Sequence, residues 1–183
     1  MMDITELSKL EEYSIKRKIP IIGSEKGEWL LKKVKEIQPS GVLEIGTANG
    51  YSGIILGSEG AKLTTIDKSA PIIVEAKENF KQYGIKAVIL FGDGVEVTNK
   101  LVEENNSFEA NKYYDLIFLD FEKKKYIDIL ENCLALLKKN GQLIVDNVFM
   151  EKSNDFVKLI KDDSRLLVEF VKIGDGMVVI RKY

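Results

Sequence analysis

Short apolar runs alternate with longer amphipathic segments between residues 42 and 145. Five of these runs lack polar alternation, which is typical of strands buried on both faces of a sheet. They span 42–45, 63–66, 87–91, 116–119 and 143–145. The segments near 50–58, 70–83, 95–105 and 123–138 have the length of helices that connect parallel strands. The pattern therefore predicts an α/β fold, a doubly wound and mostly parallel sheet with helices on both faces.

The two ends of the chain depart from this alternation. The last two apolar runs, 166–173 and 177–181, are separated by little more than three residues, which predicts an antiparallel hairpin. Residues 4–17 and 24–37 have helical spacing, with Asp3 and Ser24 as candidate N-caps. We expect one domain over 1–183, with N-terminal helices (1–38) before the core (42–183). The polar segment 103–111 is the one loop long enough to be mobile.

Composition restricts the chemistry that this fold can carry. The 183 residues include no histidine and one cysteine, and the net charge is −2. These counts exclude Ser-His-Asp and Cys-His machinery, histidine-bound zinc and an intramolecular disulfide. Proton transfer must use Asp, Glu, Lys, Tyr or Cys, and a bound metal must be a hard cation on oxygen ligands. No apolar run approaches the ~20 residues of a membrane span, and the charged N-terminal stretch lacks the apolar segment of a signal peptide, so we expect a cytoplasmic location.

A glycine-containing turn, EIGTANGYS over residues 44–52, follows the first predicted strand. Glycine at such a turn permits a ligand to approach the backbone closely. Ala48 takes the middle position of the dinucleotide pattern G-x-G-x-x-G, which favours an uncharged or cationic ligand over a diphosphate. Asp67 ends the second strand, where an acidic side chain can accept hydrogen bonds from an adenosine ribose. The turn predicts a nucleoside site; the alternative is that the glycines only turn the chain and Asp67 caps a helix.

Three oxygen donors follow the fourth and fifth predicted strands. Asp120 ends DLIFLD, and Asp146 and Asn147 end QLIVDN. Ligands of open α/β sheets bind beyond the carboxyl ends of the strands, so these side chains converge if the two strands are neighbours. Two carboxylates and an amide suit octahedral Mg²⁺. Helix caps at both aspartates are the alternative.

Asp93 and a run of three lysines each have a functional and a purely structural interpretation. Asp93, at the end of the third strand, faces the adenine of a bound nucleoside or caps a helix. Lys123, Lys124 and Lys125 follow Asp120 as a run. Repulsion from a divalent cation favours the neutral amine of a neighbouring lysine, which then can act as a base. Spacing does not choose among the three lysines, and a solvated helix start is the alternative.

Five segments together resemble the motifs of the cation-dependent O-methyltransferases. This class I methyltransferase family includes the catechol and caffeoyl-CoA O-methyltransferases and their small bacterial and archaeal relatives. The segments are VLEIGTANGYSG, TTID, DLIFLDFEKKKY, GQLIVDNV and IGDGMVVIRK, in that order. The joint occurrence of D-x-x-K-x-x-Y and a strand-ending D-N is the specific part of the match. The resemblance covers about residues 20–182 and implies a Rossmann-like sheet of seven strands with a C-terminal antiparallel hairpin.

The resemblance also implies cofactors, site residues and an assembly. The methyl donor would be S-adenosylmethionine (SAM), used with Mg²⁺ or another divalent cation on a small hydroxylated acceptor such as a catechol-like diphenol, by a homodimer. The implied SAM-binding residues are Ile22, Glu44, Gly46, Gly50, Tyr51, Ser52, Asp67, Asp93, Gly94 and Asp120. The implied metal ligands are Asp120, Asp146 and Asn147, and Lys123 matches the lysine base of the family. Candidate substrate contacts are Glu169, which matches a glutamate of the animal catechol enzymes, and Glu122 and Phe149, which stand where the chain departs from the family pattern.

Two other functions use some of the same residues. Some relatives methylate a hydroxylated uridine of transfer RNA, and a basic rim for that partner would comprise Lys81, Lys86, Lys123, Lys124, Lys125 and Lys152. An NAD-binding dehydrogenase or a non-catalytic nucleoside-binding module would also use the glycine-containing turn. Ala48 and the terminal hairpin count against the dehydrogenase, and a binding module has no need of the three oxygen donors with Lys123.

Overall fold

One sheet of seven strands forms the centre of the protein in the computed structural model, which describes residues 2–107 and 113–183. The strands are β1 (Gly41–Ile45), β2 (Lys62–Asp67), β3 (Ala87–Phe91), β4 (Tyr114–Leu119), β5 (Leu137–Asp146), β6 (Leu166–Val171) and β7 (Met177–Lys182). Their order is β3-β2-β1-β4-β5-β7-β6. Strands β1 to β5 pair in parallel, and β7 is antiparallel to β5 and β6. The predicted sheet and terminal hairpin are confirmed.

Helices cover both faces of this sheet. In the described residues they are α1 (Ser8–Lys16), α2 (Gly23–Ile37), α3 (Tyr51–Gly57), α4 (Ala70–Gln82), α5 (Gly94–Ser107), α6 (Tyr126–Leu136) and α7 (Asn154–Asp162). Residues of α1 to α4 form one core cluster with Val42 and Phe118, and residues of α5 to α7 form the other with Leu43 and Ile117. No helix of the described part of the chain is long and apolar enough to cross a membrane.

Side-chain alternation along the central strands determines which residues can meet at the site. Successive residues of a strand point to opposite faces of the sheet. Ile144 packs in the cluster of α1 to α4, whereas Leu143 and Val145 pack in the cluster of α5 to α7. By the same alternation, Asp146 at the end of β5 points to the face that α2 covers.

Strand β3 is not buried on both faces, so that part of the prediction is wrong. Val88 is 59% exposed and Phe91 is 67% exposed. The reason is the position of β3, which is the outermost strand and pairs only with β2. A short apolar run predicts a strand, but it does not distinguish an edge strand from a central one.

One helix and the bounds of two other segments also differ from the prediction. Helix α7 was not predicted, although Phe156 and Ile160 have helical spacing and are buried in the core. Strand β5 begins at Leu137 instead of 143, because its first residue pairs with Tyr114 before a shift of register. Residues 103–107 of the predicted mobile loop belong to α5, and its residues 108–111 lie outside the described residues.

The two predicted N-caps have different outcomes. The Asp3 side chain accepts a hydrogen bond from the Thr5 backbone N–H at 2.9 Å and forms a capping box with Glu6, as expected for a helix start. Ser24 does not cap its helix, because α2 already begins at Gly23. The backbone N–H of Ser24 instead donates to Glu11 Oε1 at 2.8 Å, so a side chain of α1 caps α2.

Candidate active site

A cavity of about 540 Å³ lies at the carboxyl ends of β1, β2 and β4. Its volume is in the range of small-molecule sites, and its position is the one in which open α/β sheets bind ligands. The predicted site residues that line it are Gly46, Tyr51, Ser52, Asp67, Asp93, Gly94, Asp120, Glu122 and Lys123. Four of these residues carry carboxylates. Lys18, Lys68 and Lys123 also line the cavity, so the lining carries charges of both signs.

The two glycines of the turn after β1 have different roles. Gly46 lines the cavity with a φ of +105°, and a Cβ there would overlap the Asp120 carbonyl oxygen and lie 2.7 Å from its carbonyl carbon. Gly50 does not line the cavity; it is the N-cap of α3 with a φ of +91°, and a Cβ there would meet the Phe80 ring at 3.0 Å. The close approach of the chain to itself therefore requires glycine at both positions.

Asp67 ties the glycine-containing turn to the end of β2. Its Oδ2 accepts a hydrogen bond from the Ala48 backbone N–H at 3.0 Å, and its Oδ1 accepts one from the Ser69 N–H at 2.9 Å. A carboxylate has about four lone-pair sites, so two remain for the hydroxyls of a ribose. Asp67 therefore has features of both roles considered for it. It makes local contacts that hold the turn, and it lies in the cavity, as ribose binding requires.

Glu44 lies behind the cavity wall. It is 0% exposed, and its two carboxyl oxygens accept hydrogen bonds from Ser52 Oγ and Thr65 Oγ1, each at 2.6 Å. Burial raises the pKa of this carboxyl to about 8, although both hydrogen bonds lower it. Ser52 lines the cavity and separates Glu44 from it. Ile22, at the N-cap of α2, also lies outside the lining, whereas residues 18–21 contribute to it.

The raised pKa of Glu44 predicts that wild-type stability falls as pH rises. An unfolded glutamate loses its proton near its ordinary pKa of 4.5, while the folded one keeps it to about pH 8. Between these values the unfolded state binds fewer protons, so the free energy of unfolding decreases with pH. Glu44→Gln keeps a donor and an acceptor for Thr65 and Ser52 and removes the ionisation. We expect urea unfolding at pH 5 and 8.5 to show a loss of roughly 2–4 kcal/mol in the wild type that the variant lacks.

Glu28→Gln is the matched control for this prediction. Glu28 is an exposed carboxyl on α2, so the wild-type decrease in stability with pH should persist in this variant. Equal pH dependence in the wild type and Glu44→Gln would contradict the role assigned to the buried carboxyl.

Ion pairs connect the charged side chains at the mouth of the cavity. Glu122 pairs with Lys68 from the end of β2, and Lys125 pairs with Asp93 at 2.6 Å. The Lys125 ammonium lowers the pKa of Asp93, whose Oδ1 also accepts a hydrogen bond from the Val95 N–H at 3.0 Å and so caps α5. Asp93 is thus both a helix cap and part of the cavity lining. Two lysines of the expected basic rim, Lys123 and Lys125, are neutralised by acids.

Asp120 and Asp146 come together at the ends of adjacent strands. Their preceding residues, Leu119 and Val145, are register partners in the β4–β5 pair, which sets neighbouring backbones about 4.8 Å apart. Burial and the nearby Asp120 carboxylate raise the pKa of Asp146 to about 6, against the Lys26 ammonium, which lowers it. Lys123 Nζ lies 2.6 Å from Asp120 Oδ1, and Lys26 Nζ lies 2.5 Å from Asp146 Oδ1. Each carboxylate therefore has an ammonium partner.

The third candidate metal ligand, Asn147, begins a tight turn after β5. Its φ of +59° is one that asparagine tolerates, and its N–H donates to Asp146 Oδ1 at 2.7 Å. Across residues 2–107 and 113–183, no three His, Cys, Asp or Glu side chains are grouped to hold a metal ion. The candidate set is therefore two carboxylates and one amide. These are hard oxygen donors of the kind that Mg²⁺ accepts, with water or substrate completing the shell, so the residues fit the ion.

The candidate substrate residues occupy different surroundings. Phe149 follows the candidate metal ligands Asp146 and Asn147 in the sequence. Its ring stacks on Phe170, with the ring centroids 6.3 Å apart, and the residue is 48% exposed. Its backbone N–H donates to the Asp175 carbonyl at 2.9 Å, which fixes the turn against the β6–β7 hairpin. Glu169 lies on β6, outside the cavity lining, and pairs with Arg181 at 3.8 Å. Neither Phe149 nor Glu169 therefore lines the cavity.

Phe121 and Lys26 are two residues at the site that the predicted set did not include. Phe121, between Asp120 and Glu122, lines the cavity and its ring lies 5.7 Å from that of Tyr126. Lys26 contacts Asp146, and a signal for it was present, because Lys26, Leu30 and Val34 follow one another at helical spacing on the buried side of α2. A charged residue in an apolar stripe indicates a buried partner.

The order of the strands is that of a class I, Rossmann-like methyltransferase fold, with the cavity at their carboxyl ends. The solved structure of a caffeoyl-CoA O-methyltransferase homologue from Staphylococcus aureus has this fold, with a TM-score of 0.84 and 24% identity, covering 100% of this chain and 93% of that one. The O-methyltransferase of Bacillus cereus in complex with SAH gives a TM-score of 0.85 at 20% identity, covering 100% of this chain and 92% of that one.

The sequence itself assigns the family. The O-methyltransferase family model matches residues 2–183, so the chain belongs to this family of enzymes. Catechol O-methyltransferase of Bos taurus is 26% identical over 187 residues, which cover 93% of this chain and 67% of the relative. The matches to the mouse and zebrafish catechol enzymes cover 63% of each, so the chain spans about two thirds or less of the length of these relatives.

Proposed function

We propose that this protein transfers the methyl group of SAM to a hydroxyl oxygen of a small acceptor that presents two adjacent oxygens, such as a catechol-like diphenol. The observation that carries the proposal is a single continuous site. The cavity runs from Asp93 and Asp67 past Gly46 to Asp120 and Lys123. Asp146 lies outside the lining, but the pairing of β4 with β5 sets it beside Asp120. A donor bound in it would have its reactive end at the carboxylate pair.

The lining of the cavity supports SAM as the methyl donor. SAM carries a sulfonium, an ammonium and a carboxylate group, and the cavity offers partners of both signs, four carboxylates and three lysines. Asp67 has free lone pairs for a ribose, as required for a nucleoside. Membership of the O-methyltransferase family and the SAH complex of the Bacillus cereus protein support the same ligand.

The oxygen donors support a divalent cation at the acceptor end. Asp120, Asp146 and Asn147 would hold it. A bound Mg²⁺ would supply Lewis acidity, which lowers the pKa of a coordinated hydroxyl. Two adjacent acceptor oxygens would then complete the coordination shell and fix the acceptor relative to the donor.

Lys123 is the proposed base of the reaction. Its Nζ is beside Asp120 and it lines the cavity, whereas Lys124 and Lys125 do not line it. Lys123 must first give the proton of its resting ammonium to water; its Nζ then takes the hydroxyl proton as the acceptor oxygen attacks the methyl carbon. The O–CH₃ bond forms, the S–CH₃ bond breaks, and its electron pair stays on sulfur as SAH. Asp120 then pairs with the ammonium that Lys123 has become.

Phe149 supports an aromatic acceptor. Its ring is held by Phe170 and remains partly exposed, and in the sequence it follows the candidate metal ligands Asp146 and Asn147, although it lies outside the cavity lining. A planar ring can stack on such a surface with little ordering cost. A homodimer that works in the cytoplasm completes the proposal, with the family resemblance as its support.

The direct test is a radiolabel transfer assay with SAM carrying a labelled methyl group and 3,4-dihydroxybenzoate as the acceptor. We expect labelled product with Mg²⁺ and none after chelation with EDTA, and no product from the monohydroxy analogue. Transfer that is unaffected by EDTA would contradict the metal assignment. Transfer to transfer RNA, with no transfer to any diphenol of a wider panel, would contradict the acceptor class.

A further inference from the structure

Lys26 is a buried cation. It is 6% exposed and is the one buried lysine or arginine among residues 2–107 and 113–183. Its Nζ lies 2.5 Å from Asp146 Oδ1, and both side chains are almost completely shielded from solvent. Buried ammonium groups are rare because they lose hydration, so the fold must hold this one for a reason that involves its partner.

The side chain of Lys26 is confined between α2 and the β6–β7 hairpin. Gly174, in the turn of that hairpin, has a φ of +48°, and a Cβ at this position would lie 2.8 Å from Lys26 Cε. Asp146 is held as firmly, because its Oδ1 also accepts the Asn147 N–H at 2.7 Å. The ammonium and the carboxylate are thus fixed relative to each other, and Oδ2 is the carboxylate oxygen left for another ligand.

The second ion pair of the site differs from the first in its exposure. Lys123 and Asp120 have side chains that are 20% and 19% exposed, against 7% and 2% for Lys26 and Asp146. Lys123 can move toward solvent or substrate when a cation arrives, but Lys26 is enclosed. With both ammonium groups in place, the charges of the two carboxylates are balanced. When Lys123 moves away, Lys26 still cancels one of the two negative charges that attract a dication.

We propose that Lys26 is a positioning residue that acts through Asp146 and, by its fixed positive charge, sets the affinity of the site for divalent cations. It aligns Asp146 by binding Oδ1 and leaves Oδ2 for the metal. It also repels the incoming ion, because two charges of the same sign within a few ångströms interact strongly in a partly desolvated site. This inference rests on the proposed function, since it requires a cation at Asp120, Asp146 and Asn147.

The inference predicts that removal of the Lys26 charge tightens cation binding. Lys26→Gln removes the charge and keeps a hydrogen-bond donor, and Lys26→Met removes both while filling a similar volume. We expect both variants to bind Mn²⁺ at least about tenfold more tightly than the wild type. The measurement is the electron paramagnetic resonance signal of free Mn²⁺, titrated at pH 8 without SAM or acceptor. A purely structural lysine would predict the opposite, weaker binding in a loosened site.

Two controls separate this inference from the proposed function. Lys32→Gln removes an exposed lysine of the same helix and should bind Mn²⁺ as the wild type does, and Asp146→Asn should abolish binding. Unchanged or weaker binding in both Lys26 variants would overturn the role of Lys26, while the metal site stands if the wild type binds and Asp146→Asn does not. Absence of Mn²⁺ binding in the wild type and in both Lys26 variants would contradict the metal site itself.

Discussion

Replacement of Lys123 by methionine is expected to lower kcat for methyl transfer by about 10²–10⁴-fold, the usual contribution of a general base. Lys123 lines the cavity and its Nζ lies 2.6 Å from Asp120 Oδ1, at the end where the acceptor would bind. Methionine has a similar length but no proton acceptor of comparable basicity. The affinity for SAM, measured by calorimetry, should change little, because the proton that Lys123 moves belongs to the acceptor.

The run of three lysines provides a matched control. Lys124→Met removes an exposed lysine that does not line the cavity, and we expect near-wild-type kcat. A lysine that only supported the local fold would affect thermal stability and SAM affinity together with turnover. Near-normal turnover in Lys123→Met, or an equal loss in Lys124→Met, would contradict the assignment of the base.

Gly46→Ala is expected to remove at least about 3 kcal/mol from the free energy of unfolding, a large part of the total for a domain of this size. Two costs add. An alanine at a φ of +105° is strained by about 1–2 kcal/mol. Its Cβ would also overlap the Asp120 carbonyl group, which is backbone and cannot rotate away. Because Gly46 lines the cavity and Asp120 adjoins it, the displacement should weaken SAM binding as well.

Gly60→Ala isolates the steric part of this prediction. Gly60 has a φ of +87°, and a Cβ there would have nothing within 4 Å. Urea unfolding of this variant should show only the cost of the left-handed backbone, about 1–2 kcal/mol. Equal losses in Gly46→Ala and Gly60→Ala would show that the close contact of Gly46 with the Asp120 carbonyl group adds no cost, contrary to this prediction.

The architecture followed from local patterns because each element carries its own signal. Apolar runs specified the strands, and a short connection required the last pair to be antiparallel; the predicted connection at 174–176 is longer in the structure, 172–176, because β6 ends at Val171. Edge and centre of the sheet were not distinguishable, so the exposure of Val88 and Phe91 on β3 was not anticipated. Strand order depends on contacts between elements far apart in sequence, which a local pattern does not contain.

The site was predictable where a motif lies at a strand end. Asp67, Asp93, Asp120 and Lys123 all line the cavity because the carboxyl ends of parallel strands meet at one edge. Lys26 was not found, because its importance comes from a contact across 120 residues with Asp146. Glu44 was predicted to bind SAM from its place in the motif, but the motif does not show that Ser52 and Thr65 enclose its carboxyl group.

The central claim is that the cavity between Asp67 and Asp120 binds SAM, and isothermal titration calorimetry of the purified protein tests it most directly. We expect one SAM molecule per chain with micromolar affinity, and no heat of binding for NAD at the same concentrations. Asp67→Ala should weaken SAM binding, because it removes the carboxylate that holds the turn and that we propose for the ribose. Binding of NAD with no binding of SAM, or no binding of either, would contradict the account.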